Sequence, residues 1–411
     1  MKNNKIVKRL AKMNIIIVND FDYVQGGASK VAIETANLLS KYSENFKVYF
    51  FCGSHAENSN LSSKVTRICT NQVEALKDKN KLRGCINGIY NFKAGKELKK
   101  LLNKLDNRNT IIHVHGWTKV LSSSVFDIAF KMKYKVLLTM HDYFTACPNG
   151  GYFNYKKNKI CTLKPLSSRC ITCNCDSRNY AFKIYRIIRQ FVQNKIIRLN
   201  EKLTDVISIS NFSEKILKET LNKNINIYRV YNPIDYDKNF INDDFKKNNY
   251  YLNVGRISPE KGVEDFCKAI TISGKNGIVV GDGPDKKRLE KKYPNVKFVG
   301  WKSSKEVKMF MKNARYLVFT SKLYEGSPLT TMEALSMGLP CIVWSGCAAV
   351  DQIVENKSGF VYNDVESLVD ILKGKDLKKF SFSYNKNYIL DLTSVYFKII
   401  GVKNEKNCLC C

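Results

Sequence analysis

The stretch that most constrains how this chain can fold runs from Tyr316 to Pro340, Y-L-V-F-T-S-K-L-Y-E-G-S-P-L-T-T-M-E-A-L-S-M-G-L-P. Tyr316 to Thr320 is apolar and β-rich and predicts a buried parallel strand. The helix after it is expected to take Ser327 as N-cap, Pro328 in the first turn, where a missing N–H costs nothing, and Gly338 at the C′ position. A strand that leads through a tight loop into a helix points the helix N-terminus at the strand's carboxyl end. Open α/β sheets bind ligands there, and the free N–H groups and dipole of a helix start favour an anion. Glu325 and Glu333 frame that point, with seven residues between them. A carboxylate beside an anion site is unfavourable unless it accepts hydrogen bonds from hydroxyls, so the pair suits a ligand that combines phosphate with sugar. Taken alone, the same pattern also fits two surface glutamates on an ordinary α/β helix.

The same strand-loop-helix unit recurs along the chain. Tyr251 to Gly255 reads as a strand running into G-R-I-S-P-E-K-G, and Ile278 to Gly281 as another running into Asp282-Gly283-Pro284. In the first half, the strand Asn14 to Val18 precedes a loop with Gly26-Gly27-Ala28 and an amphipathic helix from about Ser29 to Tyr42. Lys47 to Cys52, Ile111 to His115, Lys135 to Thr139 and Asp205 to Ser210 read as further strands, and Tyr90 to Leu105 as one helix, while residues 54–83 carry no assignable pattern. Period-two alternation sets His113 and His115 on one face of their strand. With His141, three of the four histidines stand at or near strand carboxyl ends. A chain of 411 residues exceeds what one core supports, so two domains are expected.

Together these motifs resemble the retaining glycosyltransferase family 4, of capsule or surface-polysaccharide type. E-G-S-P-L-T-T-M-E-A-L-S-M-G-L-P is similar to that family's E-x7-E signature, G-R-I-S-P-E-K-G to its G-R-x4-K-G, and Gly281-Asp282-Gly283-Pro284 to its G-x-G-P. Gly26-Gly27 resembles its Gly-Gly loop, and Ser210-Asn211-Phe212-Ser213 its S-x-x-S. The resemblance implies the GT-B fold, α/β with two Rossmann-like domains facing a central cleft. The expected division is an acceptor domain at 13–230, with a cysteine-rich insertion at 147–175, a donor domain at 231–385, and a terminal helix at 386–400 that crosses back. Carried over, Arg256 and Lys261 grip the donor diphosphate, in place of the Mg²⁺ that other glycosyltransferases hold with a D-x-D motif. Glu325 and His141 meet the donor sugar, and Glu333 holds the ribose hydroxyls. Gly255, Gly283, Gly326, Ser327 and Leu329 complete the donor side, and Gly26, Gly27 and His115 the acceptor side, although His115 equally suits simple packing. Asp142 is expected to orient backbone or His141. The implied reaction moves a sugar from a nucleotide-sugar donor to an acceptor hydroxyl of a glycan or lipid-linked precursor, with retention and with no cofactor needed for catalysis. Two departures stand out: Ser327 replaces the usual aromatic after E-G, and K-L-Y replaces the commoner P-S-x-x before Glu325.

Cys147, Cys161, Cys170, Cys173 and Cys175 crowd one segment as C-x13-C-x8-C-x2-C plus one. The C-x2-C knuckle fits a structural zinc held by Cys147, Cys161, Cys170 and Cys173, with Cys175 as alternative ligand; an iron–sulfur cluster, a redox pair or unligated thiols fit as well. The helix predicted at Tyr180 to Leu203 sets Lys183, Arg186, Arg189 and Lys202 opposite Ile184, Ile187, Ile188 and Phe191. It reads either as a surface helix on an anionic membrane or as a core helix with a solvated basic face. A net charge of +31 calls for a polyanionic partner or reflects lysine-rich drift. A nucleic-acid binder and a sugar-nucleotide epimerase are the rival readings. Against the first, no nucleic-acid-binding motif is present and the lysines are spread along the chain, so no nucleic acid is expected. Fourteen cysteines without a secretory leader lead us to expect a cytoplasmic protein, peripheral on the inner face of the plasma membrane. The Cys408-Leu409-Cys410-Cys411 tail reads as a frayed terminus or a lipidation site.

Overall fold

The computed structural model describes residues 12–57, 59–234, 238–242, 244–374, 376, 377, 380, 382 and 387–401. The Cys408 to Cys411 tail lies outside them.

The first half forms β1 (Met13–Phe21), β2 (Phe46–Ser54), β3 (Thr66–Cys69), β4 (Thr110–Val114) and β5 (Lys135–Thr139). A two-stranded hairpin follows, β6 (Phe153–Asn154) and β7 (Lys159–Ile160), and then β8 (Asp205–Ser208) and β9 (Asn226–Arg229). Seven of these make one sheet in the order β3-β2-β1-β4-β5-β8-β9, with every neighbouring pair parallel. β1 is apolar at successive positions because both faces are covered, as a parallel sheet requires. The second half forms β10 (Tyr250–Val254), β11 (Asn276–Val280), β12 (Val296–Phe298), β13 (Tyr316–Phe319), β14 (Cys341–Trp344) and β15 (Gly359–Tyr362). They make a six-stranded parallel sheet in the order β12-β11-β10-β13-β14-β15. Each order reverses beside its first strand, between β1 and β4 and between β10 and β13. Such switch points open a crevice at the strands' carboxyl ends.

Six helices matter for the site and its surroundings: α1 (Gly27–Tyr42), α2 (Lys81–Ile89), α3 (Phe92–Leu102), α4 (Tyr180–Phe191), α5 (Leu329–Ser336) and α6 (Tyr388–Ile400). The helix expected over 90–105 is α3, and Asn91 begins it by accepting the Ala94 N–H at 3.0 Å as an N-cap; α2, just before it, is a further helix that the sequence pattern did not show. The expected cap of α5 shifts by one residue. Pro328 itself is the N-cap, and Ser327 instead accepts a hydrogen bond from Gln352 at 3.4 Å. Gly338 follows the C-cap Met337 with φ +79°, the left-handed turn that favours glycine.

The last helix, α6, packs on the first domain although it follows the second in sequence. Leu392, Val395 and Tyr396 are buried in the first domain's core with Ile15, Ile17 and Phe50. The Tyr388 hydroxyl lies 2.6 Å from Thr35 Oγ1, and Lys135 Nζ donates to the Ile399 carbonyl at 2.7 Å. Among the described residues no helix is long and apolar enough to cross a membrane.

Candidate active site

A cavity of about 510 Å³ lies between the two sheets, where the carboxyl ends of their strands meet. Two helix N-termini converge on it, those of α1 and α5. They come so close that a Cβ at Gly27 would lie 3.4 Å from Leu329 Cδ1. Two sets of free backbone N–H groups aimed at one space favour an anion there.

The structure brings most of the sequence-predicted residues to this cavity. Gly26, Gly27, His141, Gly255, Arg256, Lys261, Glu325, Gly326, Ser327, Leu329 and Glu333 all line it. Gly283 does not: it packs beneath the β10 loop, where a Cβ would fall 2.1 Å from the Ile257 carbonyl oxygen, so that position needs glycine for close approach. His115 stands behind the cavity wall.

Charge in the cavity is arranged as two lysine–carboxylate pairs. Lys261 Nζ meets Glu325 Oε1 at 2.5 Å, and the Ser321 hydroxyl donates to the same oxygen at 2.7 Å. Lys30, on the first turn of α1, reaches across the cleft to Glu333 Oε1 at 2.5 Å. Lys30 is the residue that sequence reasoning missed. Its signal was there, one turn after Gly26-Gly27 at a helix start, but pairing with a carboxylate 303 residues away is not written in either motif. Arg256 is exposed in the same space and has no ion-pair partner among the described residues.

The departure before Glu325 has a packing reason. Tyr324 stacks edge-on against Phe212 and Tyr143 of the first domain, with ring centroids 5.2 and 6.3 Å away. Ser210 donates to the Gly326 carbonyl, and the Phe212 N–H donates to Asp351 Oδ2 at 3.1 Å. The signature loop is therefore docked on the first domain by an aromatic contact and by the S-x-x-S stretch.

From His141 in the cavity wall inward, the histidines form a ladder that ends buried. His141 Nε2 lies 2.9 Å from His115 Nδ1, the His115 ring packs 4.2 Å from that of His113, and His113 bonds Thr139 Oγ1 and the Tyr396 hydroxyl, each at 2.7 Å. Burial lowers His141 to about 4 and His113 to about 3, with His141 adding to the latter, and it holds His115 well below its ordinary value. All three are neutral at pH 7, so His141 can offer a hydrogen bond but not a charge. Asp142 orients backbone, accepting the Phe144 N–H at 3.0 Å, and burial raises it to about 6.

Two D-x-D triplets are present; Asp235-Tyr236-Asp237 lies outside the described residues, and the carboxylates of Asp20-Phe21-Asp22 are committed elsewhere. Asp20 accepts three backbone N–H groups, from Lys119, Val120 and Leu121, at 2.8 to 2.9 Å. Asp22 is bonded to His55 at 2.6 Å, to Arg67 at 3.3 Å and to the Ala56 N–H at 3.1 Å. The cysteines of the insertion surround an ammonium instead of a shared centre. Lys183 Nζ is buried 3.3 Å from Cys175 Sγ and 3.5 Å from Cys170 Sγ. Among the described residues no group of three or more His, Cys, Asp or Glu is placed to hold a metal ion. Burial pushes the Cys147 thiol up to about 11.

Known proteins resemble this chain in sequence and in fold. Residues 236–373 match the family model "Glycosyl transferases group 1". The chain is 32% identical over 145 residues to the UDP-Gal:alpha-D-GlcNAc-diphosphoundecaprenol alpha-1,3-galactosyltransferase of Escherichia coli, covering 31% of this chain and 36% of that one. It is 23% identical over 365 residues to a glycosyltransferase of Haemophilus influenzae, covering 86% of each. Its structure superposes on HepE of Anabaena, solved with UDP and glucose, with a TM-score of 0.56 at 14% identity, covering 94% of this chain and 92% of that one. The fold is GT-B. The chain spans 36% to 60% of the length of three of the curated relatives it matches.

Proposed function

We propose that this protein is a retaining glycosyltransferase that moves a sugar from a nucleotide-sugar donor to a hydroxyl of a lipid-linked surface-polysaccharide precursor. The observation that carries the reading is the pair of ion pairs in the cleft, Lys261–Glu325 and Lys30–Glu333, beside Arg256 and two helix N-termini. A diphosphate entering between Arg256, Lys261 and Lys30 draws the two lysines to phosphate oxygens. That frees two carboxylates at the same moment, and a sugar and a ribose offer hydroxyls that need acceptors. One ligand satisfies both halves, which neither a phosphate nor a sugar alone would do.

In the reaction the acceptor oxygen attacks the donor's anomeric carbon, the bond from that carbon to the phosphate oxygen breaks, and the acceptor's proton passes to the departing phosphate on the same face. The leaving diphosphate gains negative charge as the bond breaks, and fixed cations and backbone N–H groups stabilise that change without reorganising. Glu333 holds the ribose, and Glu325 and neutral His141 hold the sugar. The docked signature loop closes the space against water that would otherwise hydrolyse the donor. The GlcNAc-diphosphoundecaprenol acceptor named for the E. coli relative and the UDP bound by HepE support this substrate class. The family match over 236–373 favours transfer over nucleic-acid binding or epimerisation.

The test is incubation of the protein with UDP-, GDP-, ADP- and CMP-sugars and a diphosphate-linked lipid acceptor, with the product's anomeric configuration read by NMR. The reading expects one donor class to be consumed only when acceptor is present, with configuration kept. An inverted product would refute retention, and a changed sugar nucleotide without acceptor would establish an epimerase.

A further inference from the structure

Helix α4 is inside out. Its polar side chains face the protein: Lys183 is 1% and Arg189 6% exposed, and Gln190 and Gln193 are buried beside them. Arg189 donates to the carbonyls of Pro148 at 3.0 Å and Thr118 at 3.3 Å, Gln190 to those of Phe144 and Thr145, and Gln193 to that of Phe144. Arg186 pairs with buried Asp176 at 2.7 Å. The reason is the irregular stretch after β5, whose Phe144, Thr145 and Pro148 carbonyls lack strand or helix partners. Buried backbone groups must be satisfied, and the polar side of α4 supplies the donors. The basic face expected on the surface is thereby corrected: Lys183 and Arg189 are interior residues.

The apolar side is left outward. Phe191 is 51% exposed, Ile196, in the turn after the helix, 65%, and Ile188 and Tyr180 are exposed with them. Helix α2 packs against α4, so tightly that a Cβ at Gly88 would overlap the Tyr185 hydroxyl, and α2 also turns apolar residues outward. Leu82 is 72% exposed, Ile86 is exposed, and Phe92 stands exposed at the start of α3. The charge around this face is one-sided. Asp78 and Glu97 are taken up by Arg83 and Lys100, each at 2.7 Å. Lys79, Lys81, Lys93, Lys96 and Lys99 are exposed and have no carboxylate partner among the described residues.

We infer that the outward apolar faces of α2 and α4, with the lysines of α2 and α3 around them, seat this protein on an anionic lipid surface. Apolar side chains enter the interface while lysines meet the headgroups, and neither alone suffices for firm attachment. The inference rests on the inverted helix and its charge surroundings, independently of the reaction proposed above.

The test is co-sedimentation with vesicles of phosphatidylcholine, with and without phosphatidylglycerol, at low and high salt. The wild type should sediment with the anionic vesicles and be released by salt. Ile188→Asp/Phe191→Asp should lower binding about tenfold or more. Lys93→Glu/Lys96→Glu should weaken it and flatten its salt dependence. Both variants change exposed residues, so Tm and nucleotide binding should stay at wild-type values, which separates this result from a failure of the transferase reading. Equal binding to neutral vesicles, no binding by the wild type, or full binding by the Ile188/Phe191 variant would overturn the inference. So would a wild-type dimer that the same variant splits and that ignores vesicles, since the face would then belong to a second copy.

Discussion

The second domain's wall of the cleft is made of short strand-loop-helix units, whereas the first domain's wall is made of contacts between distant residues. Arg256 and Lys261 share one loop, and Glu325 and Glu333 share one loop and the helix after it. On the other side, His141 is backed by His115 and His113, and that ladder ends on Tyr396 in a helix from the far end of the chain, 283 residues from His113. In the proposed reaction, local units carry the chemistry where the residues are contiguous. The other wall is positioned by the global fold, so its residues should tie activity to stability in a way that those of the second domain do not.

The largest effect should follow from Arg256→Ala or Lys261→Ala. Each removes a fixed cation from the leaving group, with turnover expected to fall by ~10²- to 10³-fold at unchanged Tm, read by donor consumption and differential scanning fluorimetry. A Tm loss as large as that of a core variant would mean that the donor wall is not locally built. Tyr396→Phe should do the reverse, leaving His113 Nδ1 without its partner and costing ~1–3 kcal/mol of stability in urea unfolding, with turnover reduced less than by either cation variant.

The histidine ladder also sets a pH dependence. Its folded-state values lie below the ordinary one, so the unfolded chain takes up protons first as pH falls. The stability they contribute is complete above about 6.5 and is lost as pH drops toward about 4, the value for His141, at up to ~1.4 kcal/mol per pH unit for each histidine. Denaturation midpoints between pH 7 and 4.5 measure this. A His113→Gln variant should show a shallower decline; an identical decline would remove the ladder from the account. The smallest effect is expected from Lys30→Met. Its pair with Glu333 is partly exposed, so stability should change by less than ~1 kcal/mol, while KM for the donor rises several-fold.

The comparison also explains what could be read from the chain. The E-x7-E stretch, the G-R-I-S-P-E-K-G loop and the central strands of both parallel sheets were legible because apolar strands and glycine loops report themselves locally, whereas the edge strands β3 and β9 carry no such pattern. Tyr396, Lys30 and the role of Tyr324 were not, since each acts on a partner in another domain or at the other end of the chain. Helix α4 misled for a related reason. Helical periodicity shows that a helix has two faces but not which one faces in, and here the buried neighbour is a loop that needs hydrogen-bond donors rather than an apolar core. The cysteine spacing left a metal site open, yet the ammonium among the thiols comes from a helix that follows them.

The most direct test of the central claim is calorimetric titration of nucleoside diphosphates into the wild type, Arg256→Ala and Glu333→Ala. The account predicts that one nucleoside diphosphate binds the wild type and that both variants weaken it by at least about tenfold, ~1.4 kcal/mol, Arg256→Ala through the phosphates and Glu333→Ala through the ribose. Equal affinity in all three proteins would show that the cleft between the sheets does not hold the donor.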